Sequence, residues 1–229
     1  MKAKLLFVFF VFPLFLLSQE KHYGISVGVN FSKWGGDEDL FAQELSNEMN
    51  LQDGFSGFDF SPEMRTGINL AFFIEYPIKN SLTIQPELSY SQKGVKFKGT
   101  GSYGDYYDNY STQVDMVYQT DYADLVVLAK YYFTNGNTKP YIFAGPGAGF
   151  LVKSTIKVDA TVEGESNSDS SDIDMDQKFD ANLNVGGGLN FSDQVRLELR
   201  YCRGLISIFD DNDYKLNNSV ISINLIACF

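Results

Sequence analysis

The feature that most constrains this chain is an alternation of apolar and polar residues recurring in eight segments, each with one apolar parity. Successive side chains of a strand point to opposite faces, so each segment predicts a strand with one apolar face. The first runs from His22 to Phe31, with Tyr23, Ile25, Val27, Val29 and Phe31 on that face. The second sets Ile68, Leu70, Phe72, Ile74 and Tyr76 against Asn69, Ala71, Phe73 and Glu75. The third sets Leu82, Ile84, Pro86, Leu88 and Tyr90 against Thr83, Gln85, Glu87 and Ser89. In the fourth, Ala123, Leu125, Val127, Ala129, Tyr131 and Phe133 oppose Asp124, Val126, Leu128 and Lys130. Glycines dilute the fifth, Tyr141 to Lys153, where Ile142, Ala144, Pro146, Ala148, Phe150 and Val152 take the apolar face. The sixth opposes Leu183, Val185, Leu189 and Phe191 to Asp180, Asn182, Asn184 and Asn190. The seventh opposes Val195, Leu197, Leu199 and Tyr201 to Arg196, Glu198, Arg200 and Cys202. The last opposes Ile221, Ile223, Leu225, Ala227 and Phe229 to Ser222, Asn224 and Ile226.

The links between segments alternate too. Residues 77–81, 134–139 and 192–193 are short turns rich in Asn, Gly, Pro, Ser and Asp. Between them stand long polar links at 32–64, 94–119, 154–178 and 209–217, read as outer loops. This arrangement predicts an all-β fold: a closed, eight-stranded, antiparallel up-and-down transmembrane β-barrel with short periplasmic turns and long outer loops. A soluble sandwich also alternates, with its apolar face turned inward. Three features favour the membrane version. Several segments reach the roughly 10 residues that a tilted strand needs to cross a bilayer. Aromatics gather near strand ends, where an interfacial girdle would lie. Finally, Phe229 ends an apolar-parity strand, as a C-terminal strand signal would.

The N-terminus reads Met1-Lys2-Ala3-Lys4, an apolar run from Leu5 to Leu17, then Ser18. A basic start, a short apolar core and a small exit residue predict a secretory signal peptide over 1–18, leaving 19–229 as the barrel domain. The formal charge of −11 becomes −13 once Lys2 and Lys4 are removed, which argues against nucleic acid as a partner. Cys202 and Cys228 fall on neighbouring strands at an expected offset of about four residues, some 13 Å, beyond disulfide reach, and two free thiols are expected.

With the strands laid out, the residues at their ends and bends resemble the porin-like outer-membrane β-barrel domain of Bacteroidetes, the group that includes PorT-like proteins. The carriers are Gly24, Gly28 and Asn30, then Phe73-Ile74-Glu75-Tyr76, and Gln85-Pro86-Glu87-Leu88 with Tyr90 and Lys93-Gly94. They continue as Leu128-Ala129-Lys130-Tyr131-Tyr132, Ala144-Gly145-Pro146 with Gly149, Arg200-Tyr201 with Gly204-Leu205, and Phe229. The resemblance spans about Gly24 to Phe229 and departs at Asp124 and Val126, where such families often place Glu and Pro. It implies the fold and the outer-membrane location, and a family of varied functions.

The polar parity carries Glu75, Glu87, Asp124, Lys130, Asp180, Arg196, Glu198 and Arg200. An eight-stranded barrel has a bore that side chains fill, so these charges are expected to pair into a structural network that closes the lumen. A narrow ion path is the competing reading. Ile68, Leu70, Phe72, Ile74, Leu197, Leu199, Ile223 and Leu225 are expected to face lipid. Pro86 and Pro146 predict a bulge or kink, and Gly186-Gly187-Gly188 a bend. The glycine run at 145–149 lacks the helix and the Lys-Ser/Thr pair of a phosphate loop. Asp172, Asp174 and Asp176 resemble the start of a calcium loop, but Gln177 and Leu183 stand where Gly and Glu are required.

The outer links are acidic: 32–64 holds eight acids and one lysine, and 154–178 holds seven acids and two lysines. They read as solvated, mobile loops, with weak divalent bridging to lipopolysaccharide as a second reading. His22 is the one histidine and falls at the periplasmic rim, which disfavours an outward-facing catalytic site and a zinc centre. No cofactor, resident metal or catalytic residue is expected. The expected function is a non-enzymatic scaffold presenting acidic loops. The alternatives are a transport or protein-secretion accessory barrel, which the PorT-like resemblance implies, and a lipid-modifying membrane enzyme. Expected partners are outer-membrane lipid and lipopolysaccharide, the barrel assembly machinery during biogenesis, and an unidentified protein or ligand at the loops. Both termini are expected in the periplasm.

Overall fold

The computed structural model describes residues 21–104, 109–133, 139–175, 177–209 and 214–229. The expected signal peptide lies outside the described residues, as do most of the turn at 134–139 and Asp176. The elements are β1 (His22–Gly36), α1 (Glu38–Asn50), β2 (Phe55–Glu63), β3 (Arg65–Lys79), β4 (Leu82–Gly104) and β5 (Asn109–Tyr132). They continue as β6 (Lys139–Val162), β7 (Glu165–Asp172), β8 (Phe179–Asn190), β9 (Val195–Gly204) and β10 (Leu216–Cys228).

Eight strands form a closed antiparallel ring in the order β1-β3-β4-β5-β6-β8-β9-β10, with β10 pairing back to β1 from Gly24↔Cys228 to Gly36↔Leu216. These are the eight segments expected from the alternation, in the same facing. Ile25, Val27, Leu70, Phe72, Leu197, Leu199, Ile223 and Leu225 are exposed on the outside, while Ser26, Asn69, Glu87, Glu198, Ser222 and Asn224 are buried within. Antiparallel closure removes every edge from the ring.

Three of the long links, 32–64, 94–119 and 154–178, are not the loops the sequence suggested; residues 210–213 of the fourth, and 105–108, lie outside the described residues. β4, β5 and β6 run for 23, 24 and 24 residues, more than twice the roughly 9–11 that cross a bilayer. Their outer halves, with β2 added on β4 and β7 on β6, make a five-stranded sheet in the order β2-β4-β5-β6-β7 standing above the barrel. Polarity inverts along these strands. On β4 the inward positions Gln85, Glu87, Ser91 and Lys93 give way to Val95 and Phe97, both fully buried, while Lys96 and Lys98 turn outward. Likewise Ser32 on β1 is followed inward by Trp34, and Asp124 on β5 is preceded by Val114, Met116 and Tyr118. The apolar face is outside in the lower half and inside in the upper half. Above the inversion the molecule obeys the rule for a soluble sheet.

A cap therefore closes the upper mouth around its own apolar core. Trp34 is completely buried and packs against Phe41 of α1, Phe97, Tyr118 and Phe209, with ring centroids 5.0–5.9 Å away. α1 is fixed to β2 through backbone groups. Ser46 Oγ accepts from the Phe60 N–H (2.9 Å), and Asn50 both donates to Phe58 O and accepts from Phe58 N–H (2.9 and 2.7 Å). Glu38 and Asp39 in the first turn suit the helix dipole. The alternation does not reveal this cap because the apolar residues change sides where the links turn polar; the expected mobile loops are corrected to an ordered, core-bearing extension over 32–64, 94–104, 109–119 and 154–175.

The structure also bears on three smaller expectations. Opposite Pro86 the β3–β4 ladder skips two pairs and resumes in register, Phe73↔Glu87 then Tyr76↔Ile84; opposite Pro146 the β5–β6 ladder does the same, Val126↔Gly147 then Ala129↔Ala144. Each proline removes a donor without inserting a residue, so no bulge forms there. The bulge of β6 lies instead at Val152, where Asp121↔Lys153 is followed by Tyr122↔Leu151. Gly186 and Gly188 leave room for rings: an added Cβ would stand 2.4 Å from Phe143 Cζ and 2.4 Å from Tyr141 Cζ. The cysteine offset is larger than expected. Cys202 pairs with Val220, eight residues along β10 from Cys228, and both thiols are free.

Candidate functional site

All eight charged residues expected on the polar parity are buried in the lumen, and most join one chain of contacts. Arg196 on β9 bonds Glu75 on β3 (2.5 Å), and Glu75 lies 3.5 Å from Lys130 on β5. Lys130 lies 3.3 Å from Glu198, which Arg200 contacts at 2.8 Å. Arg200 also grips Glu87 on β4 with two parallel bonds of 2.6 and 2.9 Å. Three cations alternate with three anions, so the chain is neutral and each charge meets an opposite one. That pairing offsets the several kcal/mol needed to strip water from each ion. Tyr132 donates to Glu75 (3.3 Å), Tyr141 to Glu198 (3.1 Å) and Gln85 to Glu87 (2.9 Å), which fills further lone pairs. The Lys130 ammonium also sits 4.8 Å from the Tyr141 ring centre.

Nearer the cap, Asp124 and Asp180 flank Lys93, whose Nζ is 3.0 Å from the first and 3.9 Å from the second. Asn182 donates to Asp124 (3.3 Å) and Asn218 to Asp180 (3.1 Å). Gly149, paired with both aspartates, makes this possible, since a Cβ there would stand 2.4 Å from Asp124 Oδ1. Lys93 is the lumenal charge that sequence reasoning did not assign. The signal was present, because it continues the parity of Gln85, Glu87, Ser89 and Ser91 beyond the last outward apolar residue of that segment.

The bore is filled. Between the two ionic groups lies a polar void of about 20 Å³, lined by Asn69, Asp124, Asn184, Arg200 and their neighbours, large enough for about one water molecule. Above it, Tyr122 and the cap core cover the lumen. Below, a mouth cavity of about 480 Å³ opens between His22, Glu75, Lys79, Tyr132, Lys139 and Arg196. His22 therefore lies at the end of the barrel where β1 begins and β10 ends, opposite the cap. Among the described residues no group of three or more His, Cys, Asp or Glu is arranged to hold a metal ion.

The outer surface carries two rows of aromatics. Tyr90, Phe150 and Phe179 form one row just below the polarity inversion, with Ala123 standing between Tyr90 and Phe150 in the cross-strand pairing of four strands. Tyr23, Tyr131, Phe133, Phe191 and Phe229 are exposed at the opposite end. Ile68 and Ile74 join Leu70 and Phe72 on the outward parity of β3 between these rows. In the cap, Lys96 bonds Asp115 (2.8 Å), and this contact holds its ammonium above the usual lysine value. Burial pushes the Tyr118 phenol up, and nearby Glu48 adds to the rise.

The family model described as outer membrane protein beta-barrel domain matches residues 17–210. Among solved structures, the chain is similar to Ail, the attachment invasion locus protein of Yersinia pestis (18% identity, TM-score 0.38, 92% of this chain and 100% of that one). It is also similar to Neisserial surface protein A (12% identity, TM-score 0.36, 90% and 96%) and to OprG from Pseudomonas aeruginosa (10% identity, TM-score 0.35, 92% and 96%). No curated protein sequence matches the chain.

Proposed function

The chain belongs to the outer membrane protein β-barrel domain family, a family of the bacterial outer membrane, and on that premise we propose that it is a closed, non-conducting scaffold whose ordered cap is the working surface. The observation that carries this reading is the inversion of polarity along β1, β4 and β5. Lipid wants the apolar face outside and water wants it inside, so the switch at about Ser32, Lys93 and Thr120 marks the outer membrane boundary. Below it, the exposed belt that includes Ile68, Leu70, Leu197 and Leu225 contacts acyl chains of lipid and lipopolysaccharide, and the two aromatic rows lie at the interfaces. Both termini then lie on the periplasmic side, in keeping with the short turns at that end. β10 with the Phe229 that follows it is the segment offered to the assembly machinery.

The paired lumen and the capped mouth support a structural rather than a conducting role for Glu75, Glu87, Lys130, Glu198 and their partners. A solute path would need the six-charge chain to part and the Trp34 core to open. A non-enzymatic role is supported by the position of His22, the one histidine, at the mouth remote from the cap. Planar-bilayer recording on the purified barrel tests the reading. A silent membrane is expected; steady single-channel currents at moderate voltage would overturn it and favour the transport alternative.

A further inference from the structure

The cap contains a groove that its own core does not fill. It measures about 280 Å³ and is lined by Met49, Phe55, Tyr103, Val158, Ala160 and Val162, together with Gln52 and the buried Thr112 and Val114. Binding cavities for whole small molecules run to about 300–1,000 Å³, so this one suits one or two side chains of a larger partner.

The charges on its own face carry one sign, while Lys157, next to Val158, takes the opposite parity and bonds Asp159 there (2.8 Å). Val158, Ala160 and Val162 on β6 pair with Asp169, Asn167 and Glu165 on β7. Cross-strand partners share a face of the sheet. The apolar row is thus bordered by an acidic row on the groove side. All of β7 is exposed, and among the described residues no lysine or arginine pairs with Glu165 or Asp169. On the other wall, Glu48 and Asp53, both exposed, flank Met49 and Gln52. The segments that build the groove, 48–58, 100–104, 109–114 and 158–172, contain no lysine, arginine or histidine.

We infer that this groove binds a basic polypeptide segment, which seats an aliphatic or aromatic side chain between Met49 and Ala160 and places lysines or arginines against Glu165 and Asp169 on one side and Glu48 and Asp53 on the other. The acidic walls disfavour an anionic lipid or fatty acid in the same place, because like charges would face each other at close range. β7 strengthens the inference, since among the described residues β6 is its one partner strand and no strand pairs with its other edge, which can take an extended chain. The inference rests on the reading of the cap as an external binding surface and names the partner's chemistry.

The test uses the full-length barrel in detergent micelles and a fluorescent peptide of alternating lysine and leucine, with a lysine-to-glutamate version and a leucine-to-serine version as comparisons. Saturable binding of the Lys/Leu peptide is expected, weakened about tenfold or more in either comparison peptide, and weakened roughly fivefold when salt rises from about 50 to 300 mM. Ala160→Trp, which fills the groove, and the exposed pair Glu165→Lys with Asp169→Lys should each weaken it about tenfold while the heat-modifiable band is unchanged. Binding that tracks charge alone and ignores Ala160→Trp would overturn the proposal, as mere attraction to an acidic surface. Equal binding of a neutral long-chain alcohol without salt dependence would also overturn it, in favour of lipid. A barrel that conducts yet binds the peptide would sink the closed-lumen reading and leave this one standing. A silent barrel that ignores the peptide would do the reverse.

Discussion

The ring of Phe60 lies over Gly99, its cross-strand partner, so closely that a Cβ on Gly99 would stand 2.4 Å from Phe60 Cε1. Phe58 lies over Gly101 in the same way, at 2.4 Å from Cδ2. The two glycines recess the surface of β4 so that β2 can lay two aromatic rings against it, and α1 is then clamped to β2. The cap depends on this contact. Gly99→Val should expel the Phe60 ring and cost about 1–3 kcal/mol of cap stability. The single tryptophan, Trp34, is buried in the cap core, so acrylamide quenching of its fluorescence reports opening. Increased quenching is expected in Gly99→Val with the barrel band unchanged, and unaltered quenching would mean that Phe60 does not hold the cap.

The belt gives a test of membrane placement. Leu70 and Leu197 are 43% and 41% exposed on the outer face. In water an arginine at such a site is nearly neutral, whereas in mid-bilayer it costs about 2–4 kcal/mol. Leu70→Arg and Leu197→Arg should therefore lower the denaturant midpoint of the lipid-reconstituted barrel. Midpoints equal to that of the parent would remove the belt from the membrane.

In the lumen, Glu198 touches Lys130, Arg200 and the Tyr141 hydroxyl. Glu198→Gln leaves a surplus positive charge in a dry interior and should cost about 3 kcal/mol or more. Adding Lys130→Met should recover a substantial part, because the surplus is then removed. The cycle measured by reversible unfolding in micelles would show a coupling of at least about 1 kcal/mol. Additive losses would mean that these charges act independently and that no axial network exists.

The thiols report closure from both ends. Cys228 is buried near the open mouth, and Cys202 lies on the inward parity of β9 among the lumenal charges. Neither should react with a bulky maleimide in the folded barrel, and both should react after unfolding. Labelling of Cys202 in the native state would indicate a lumen that opens.

Alkaline titration separates the cap from the barrel. The Tyr118 phenol is raised above its ordinary value by burial. A group raised in the folded state contributes stability that is complete below the unfolded pKa, about 10 for tyrosine, and is lost as pH climbs beyond it. Trp34 quenching should rise above about pH 10 before the barrel melts, and Tyr118→Phe should delay that rise. An identical alkaline profile in Tyr118→Phe would assign the effect elsewhere.

Much of this architecture is written locally. Period two forces the facing of each strand: Leu70 and Asn69 cannot share a side, so the belt and the lumen follow from the alternation, and closure follows from eight strands without an edge. The identities of the lumenal charges were equally legible, because Glu75, Lys130 and Arg200 sit on parities that the pattern assigns inward. Register was not legible. Which carboxylate meets which cation depends on strand shear, and Arg200 on β9 reaches Glu87 on β4 from the opposite side of the ring. Lys93, legible as part of the family resemblance, was not assigned to the lumen for a related reason, since its segment ends at the last outward apolar residue. The cap was decided by tertiary structure alone. Its strands continue the same period, but leaving lipid for water reverses which parity is apolar, and Trp34, Phe60, Phe97 and Tyr118 become a core only when four distant segments and a helix converge above the barrel. Local alternation fixes the face a side chain takes; only the folded assembly decides what solvent, and what partner, that face meets.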